Sequence, residues 1–167
     1  MEKFTLYLDM DGVLCDFNTA FSEILPELDD KKRFKQAVME HNIFRILKPM
    51  PDALELLESV ACLSHVYVEI LTSVGTFDEK QGHEAKLQKS DWLNRNNIPH
   101  KPNFVRTKQE KAQYATPYSI LIDDSIGCIT PFNEAGGHGI LHTSAKDSMK
   151  QLQEVFRKAK ELEAYRT

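Results

Sequence analysis

Asp9 and Asp11 stand two positions apart where the apolar run Phe4 to Leu8 gives out, and Gly12 follows them. A second acidic pair, Asp123-Asp124, closes the run Ser119 to Ile122, and Thr72-Ser73 close the run Val66 to Leu71. A lone aspartate at the end of a strand commonly closes a turn or caps a helix. Four acids and two hydroxyls, all at the ends of apolar runs, point to shared chemistry. In a parallel sheet the carboxyl ends of the strands lie along one edge, so residues far apart in the chain converge on one crevice. Carboxylates gathered there repel one another and raise one another's pKa. A divalent cation relieves the conflict, and hard oxygen donors select Mg²⁺. Gly12 lets the chain turn sharply and lets backbone approach a ligand closely.

The elements that must position these groups follow from hydrophobic periodicity. Strands are expected at Phe4 to Leu8, His65 to Leu71, Phe104-Val105, Ser119 to Ile122 and Gly139 to His142, the second of them buried on both faces. Helices are expected from Cys15 to Leu25, Asp29 to His41, after a cap at Asp52, Glu79 to Asn96, Lys108 to Ala115, Ile126 to Ala135, and from a cap at Ser144 to about Tyr165. Leu87, Trp92 and Leu93 are read as the apolar staple of the long polar helix, and Leu152, Val155, Phe156 and Leu162 as one side of the last. Short β-rich runs alternating with helices predict a parallel sheet covered on both faces, an α/β doubly wound architecture. The chain is read as one domain, 1–167, with an insertion at 16–48 that forms a small helical cap after the first strand, over the carboxyl edge of the sheet.

The chain has 167 residues, 41% hydrophobic and 28% charged, with a formal net charge of −4, so one globular domain is expected. The acidic balance provides no field for an extended nucleic-acid surface and suits a small substrate or a single nucleotide. Cys15, Cys62 and Cys128 have no metal-ligand spacing and read as reduced thiols. No apolar run approaches the roughly 20 residues that cross a bilayer, and the first residues run directly into a strand. A soluble, cytoplasmic protein is expected, the long final helix either pairing with a partner in a homodimer or only covering the sheet. The six histidines suggest no metal site; His138 and His142 read as structural, and Ala135 to Gly139 as a turn.

The segment "DMDGVLCDF" (9–17) resembles the first motif of the haloacid-dehalogenase-like (HAD) phosphatases, Asp-x-Asp-Gly-Val/Thr. The strand ending in Thr72 is similar to their second motif, a lysine upstream of Asp123 to the third, and "LIDD" to the fourth. All four occur in the family's order from Asp9 to Asp124. The 5'(3')-deoxyribonucleotidases are the subgroup it most resembles. Their first motif continues Asp-Met-Asp-Gly-Val-Leu-Ala-Asp-Phe, and "FRILKPMPDAL" (44–54) is similar to a segment of theirs. Thr72-Ser73 matches their Thr-Ser, and Arg106-Thr107-Lys108 more loosely their Arg-Asp-Lys. Val74 stands where that subgroup has proline, and the cap is shorter.

The resemblance implies a HAD-like Rossmannoid core and a Mg²⁺-dependent phosphomonoesterase acting on (deoxy)nucleoside monophosphates. Asp9 would be the nucleophile, forming an aspartyl-phosphate, and Asp11 the general acid and base. Thr72 would donate to a phosphoryl oxygen, and a lysine would neutralise the phosphate in the transition state. Lys111 is the preferred lysine, with Lys108 the alternative. Mg²⁺ would be held by Asp9, the carbonyl of Asp11 and one of Asp123 and Asp124. Phe17 resembles the aromatic that packs on a nucleobase, and Phe44, Ser73 and Lys108 are further substrate-binding candidates, with core packing the competing role for Phe17, Ile43 and Phe44. The alternatives are a HAD phosphatase of another small ester or of nucleic-acid ends, and a receiver-like signalling module. A receiver carries its acid pair at the first strand and its phospho-acceptor later, the reverse of the order here.

Overall fold

The computed structural model describes residues 3–165. Five strands, β1 (Phe4–Leu8), β2 (Val66–Ser73), β3 (Pro102–Val105), β4 (Ser119–Asp123) and β5 (His138–Leu141), form one parallel sheet in the order β3-β2-β1-β4-β5. The helices are α1 (Phe17–Glu23), α2 (Asp30–Met39), α3 (Ile43–Ile46), α4 (Ala53–Ala61), α5 (Glu79–Arg95), α6 (Ile126–Glu134) and α7 (Ala145–Ala164), with a 3₁₀ turn at Gln109–Tyr114.

Alternation along the strands sorts side chains onto two cores. Phe4, Leu6, Leu8, Ile70, Ile120, Ile122 and Ile140 join α4, α5 and α7 in the larger one. Leu71, Val105 and Leu121 meet Cys128, Ile129 and Phe132 of α6 in the smaller one. From β1 the chain winds to β2 and β3, then returns across the sheet to β4 and β5. The crevice between β1 and β4 is therefore the switch point, where α/β sheets bind ligands.

Local chemistry sets the helix starts. Asp16, Asp29, Asp78 and Ser144 each accept from a backbone N–H of the following first turn. Asp52 departs from expectation. Its carboxylate makes no cap bond to α4 and instead accepts from Ala145 N at 2.6 Å, capping α7 across the molecule. β2 departs as well: its carboxyl half is buried, but Tyr67 near its start is 56% exposed, because it stands on the face of the smaller core, where α6 packs on Leu71, Val105 and Leu121 instead. Leu87 and Leu162 also face outward, so the staple of α5 is Trp92 and Leu93.

Residues 16–48 leave and re-enter the core at one place. Asp16 N donates to Lys48 O at 2.8 Å, and beside it Met50 N donates to Leu14 O at 2.9 Å. Between these ties α1, α2 and α3 fold over the carboxyl edge of the sheet. They are fastened to α5: Gln88 accepts from Phe44 N at 3.2 Å and donates to Val38 O at 2.7 Å, and Trp92 Nε1 donates to Leu47 O at 2.7 Å.

Candidate active site

Strand register brings the distant acids together. Leu8 pairs with Ile70 on one side and Ile122 on the other, so Asp9 and Asp123 leave adjacent strands one residue further on, and Thr72 stands on β2 two residues past Ile70. Asp9 N donates to Ile122 O at 3.0 Å, which fixes the nucleophile candidate to the end of β4. The chain then coils tightly, with the N–H groups of Val13, Leu14 and Cys15 all turned to Met10 O.

Carboxylate oxygens of Asp9, Asp123 and Asp124 lie within 4.8 Å of one another. Lys111 Nζ bridges two of these acids, 2.9 Å from Asp9 Oδ1 and 2.7 Å from Asp123 Oδ2. The geometry thus separates the two lysine candidates: Lys111 is buried among the acids, whereas Lys108 lies at the rim with its Nζ 3.4 Å from Ser125 Oγ. Asp124 is folded against Gly12, whose φ of +83° and missing side chain make the space; a Cβ there would stand 2.0 Å from Asp124 Oδ2. The carboxylate of Asp11 lies apart from this trio. Its Oδ2 accepts from Lys89 Nζ at 2.9 Å, and Cys15 Sγ lies 3.4 Å from its Oδ1.

Electrostatics follow from burial. Asp9 is pushed up to about 7, chiefly by desolvation, with Lys111 pulling against it and Asp123 and Asp11 adding to it. Burial opposes the charge of Lys111, yet Asp9 and Asp123 outweigh it and hold its pKa above the ordinary lysine value. Burial, then Asp123, raises Asp124. Asp9, Asp123 and Asp124 share one buried ammonium, that of Lys111, so the trio is formally short of two positive charges. One divalent cation makes that up, and three hard oxygen donors suit Mg²⁺. The residues fit such an ion.

Above the acids opens a cavity of about 500 Å³. Phe17, Phe21, Phe34 and Phe44 from the 16–48 segment form one wall, with Phe17 stacked on Phe21 and on Phe44 at 5.1 and 5.5 Å between centroids. Phe44 is also buried in the core, so packing and lining coincide there. Phe77, Arg106, Thr107 and Lys108 border the other side, the Arg106 guanidinium lying 5.0 Å from the Phe77 ring centre. Ser73 lines the cavity, but its hydroxyl donates to Arg106 O at 3.1 Å and accepts from Gly75 N at 3.1 Å, so it shapes the loop. His142 and His138 lie outside the cleft; His142 Nδ1 is 2.7 Å from Ser148 Oγ, and His138 Nε2 2.8 Å from Pro117 O.

Sequence reasoning missed Lys89. It is fully buried on α5 and donates to Asp11 Oδ2 (2.9 Å), Thr72 Oγ1 (2.7 Å) and Ser73 O (2.9 Å). A signal existed: Gly82, Ala85, Lys89 and Trp92 recur at helical spacing on the buried stripe of α5, where a lysine has no reason to be unless it is paired. Phe21, Phe34 and Phe77 were missed as cleft residues because nothing in their local pattern marks a wall built from three separate segments.

No protein-family model matches the sequence, and no curated protein matches it. Solved structures do. A haloacid dehalogenase-like family hydrolase from Xanthomonas campestris superimposes with a TM-score of 0.63 at 13% identity, over 96% of this chain and 94% of that one. A hydrolase from Streptococcus pneumoniae TIGR4 does so with a TM-score of 0.51 at 16% identity, over 92% and 100%. The fold is that of the haloacid dehalogenase-like hydrolases. At these identities the likeness is one of fold, and the chemistry must be argued from the cleft. Among the described residues no helix is long and apolar enough to cross a membrane.

Proposed function

We propose that this chain is a Mg²⁺-dependent phosphomonoesterase that hydrolyses (deoxy)nucleoside monophosphates through an aspartyl-phosphate on Asp9. The observation that carries the reading is the meeting of Asp9, Asp123 and Asp124 around Lys111 at the switch point of the sheet, under an aromatic wall. Asp9, Asp123 and Asp124 would hold the ion. When bound, Mg²⁺ screens the approach of a carboxylate to a phosphate dianion and stabilises charge on the phosphoryl oxygens.

The chain's own groups do the rest. An Asp9 oxygen forms a bond to phosphorus while the ester P–O bond breaks, and the departing alkoxide takes its proton from the carboxyl of Asp11. Asp11, now a carboxylate, removes a proton from water; the water oxygen bonds to phosphorus, and the bond to Asp9 breaks. Phosphate leaves, with Asp9 again a carboxylate and Asp11 again protonated. Thr72 donates to a phosphoryl oxygen, and Lys111 offsets the charge on the transferring group. The segment 16–48 acts as a cap. Its phenylalanines offer flat apolar surface at the distance of a leaving group, and a cavity of about 500 Å³ accommodates a nucleoside.

The test is phosphate release from dUMP, dTMP and dGMP with Mg²⁺, beside glycerol phosphate and a 5'-phosphorylated oligonucleotide. The mononucleotides are expected to turn over fastest, and Asp9→Asn to remove activity with each. Turnover by Asp9→Asn equal to that of the native chain would end the nucleophile assignment; preference for the other esters would end the nucleotide assignment.

A further inference from the structure

The three donors of Lys89 are all spent. A lysine ammonium carries three N–H bonds and no lone pair. Asp11 Oδ2, Thr72 Oγ1 and Ser73 O take one each, at 2.9, 2.7 and 2.9 Å, and the side chain is shielded from solvent. The ring of Phe44, 4.5 Å from the nitrogen, closes the remaining side. Two consequences follow from the direction of these bonds. Thr72 Oγ1 must accept from Lys89, so its own hydrogen is free to be given elsewhere, and the phosphate cleft lies beside it. Asp11 Oδ2 is engaged whether or not that carboxyl is protonated. Oδ1, whose nearest polar contact is the weak one to Cys15 Sγ at 3.4 Å, is thereby left as the oxygen that carries a proton.

We propose that Lys89 is a positioning residue that aims two reacting groups at once: it turns the Thr72 hydroxyl into an obligate donor to the phosphoryl group and fixes Asp11 Oδ1 as the atom that exchanges a proton with the leaving oxygen and with water. This deepens the phosphatase reading and rests on it. Nothing in it requires Lys89 to touch substrate or to change its own charge. Lys111 has a different place, on Asp9 and Asp123, so the two buried lysines divide the cleft between the phosphorus side and the proton-transfer side.

The experiment compares Lys89→Met with the native chain on two esters, an alkyl phosphate, whose departing alkoxide must be protonated, and p-nitrophenyl phosphate, whose departing phenolate need not be. Aiming of Asp11 predicts that kcat/KM for the alkyl ester, which reports the steps up to formation of the aspartyl-phosphate, falls by about 100-fold or more, the scale of positioned general acid catalysis. The aryl ester should fall by about tenfold or less, the part owed to Thr72. An equal loss of kcat/KM on both esters would overturn the proposal and leave Lys89 a packing residue. Lys89→Gln, which keeps two N–H donors but neither the charge nor the reach to all three acceptors, is the second variant if Lys89→Met does not fold, and the alkyl ester is again expected to lose more kcat/KM than the aryl ester, by a smaller ratio. If the native chain hydrolyses neither ester nor any mononucleotide, the phosphatase reading has failed; if it does and the split is absent, only the role of Lys89 has.

Discussion

A lysine cut off from water must find all its partners in protein, and two of the partners Lys89 finds, Asp11 and Thr72, are groups to which the proposed mechanism gives a part. Burying an unpaired ammonium is prohibitive, so a chain keeps one inside only where carboxylate, hydroxyl and carbonyl oxygens are fixed in place to receive it. Gly12 makes the complementary point with no side chain at all. Its left-handed backbone turns Asp11 back toward the sheet, and its bare Cα admits the Asp124 carboxylate. Gly12→Ala should therefore cost about 1–2 kcal/mol of stability through the strained φ. It should also weaken Mg²⁺ dependence by about 10–100-fold, as disturbed ligand support does elsewhere. A Mg²⁺ titration of turnover reads the second effect, and a half-saturation point matching the native one would mean that Asp124 plays no part in holding the ion.

At the scale of elements, α5 does two things with one face. Lys89 reaches down to the strand ends while Gln88 and Trp92 hold the backbone of the 16–48 segment. Gln88→Leu strands Phe44 N and Val38 O without their partners inside the protein. A loss of about 2–3 kcal/mol is expected in urea unfolding, with a raised KM for bulky substrates because Phe44 and its neighbours lose their anchor. A variant with unchanged stability and KM would show that the cap is held by its apolar contacts alone. The elements themselves were largely legible: period-two and period-3.6 patterns placed five strands and the main helices, and the acids at strand ends announced the edge where they meet. What was not legible was long-range. No local signal says that Asp52 caps a helix 93 residues later, that β2 lies bare at one corner, or that α3 forms at all, since its four residues are helical only through burial of Ile43 and Phe44. The ambiguity between Lys108 and Lys111 had the same origin, because two lysines three positions apart lie on one side of a 3₁₀ turn and differ only in how deep the turn sets each one.

For the whole molecule, charge and ligand binding tie folding to function. An ion that fills the charge deficit of the Asp9, Asp123 and Asp124 trio would bind only the folded chain, so it should raise the thermal midpoint as its concentration grows, the stabilisation reaching about 2.7 kcal/mol at a hundredfold excess over its Kd. Calorimetry with Mg²⁺ and with EDTA reads this without any substrate, and identical midpoints would argue against a site there. Away from the cleft, His142 gives the fold a dependence on acid. Burial holds its imidazole below the ordinary pKa, against the opposite pull of Asp52, Asp147 and Asp123. The unfolded chain therefore takes up this proton first: the contribution to stability is complete above the unfolded value of about 6.5 and is lost as the pH falls through the lowered folded value. Urea midpoints between pH 7 and 5 should decline more steeply for the native chain than for His142→Asn, and parallel declines would assign the acid sensitivity elsewhere. The tie between Asp16 and Lys48 reaches further than stability. Because the excursion departs and returns through one doorway, its length is of no concern to the sheet beneath. On the phosphatase reading, a longer loop spliced between α1 and α2, away from Phe44, would present new walls to the departing half of an ester while the acids at the strand ends kept their places, so that selectivity can be exchanged as a cassette.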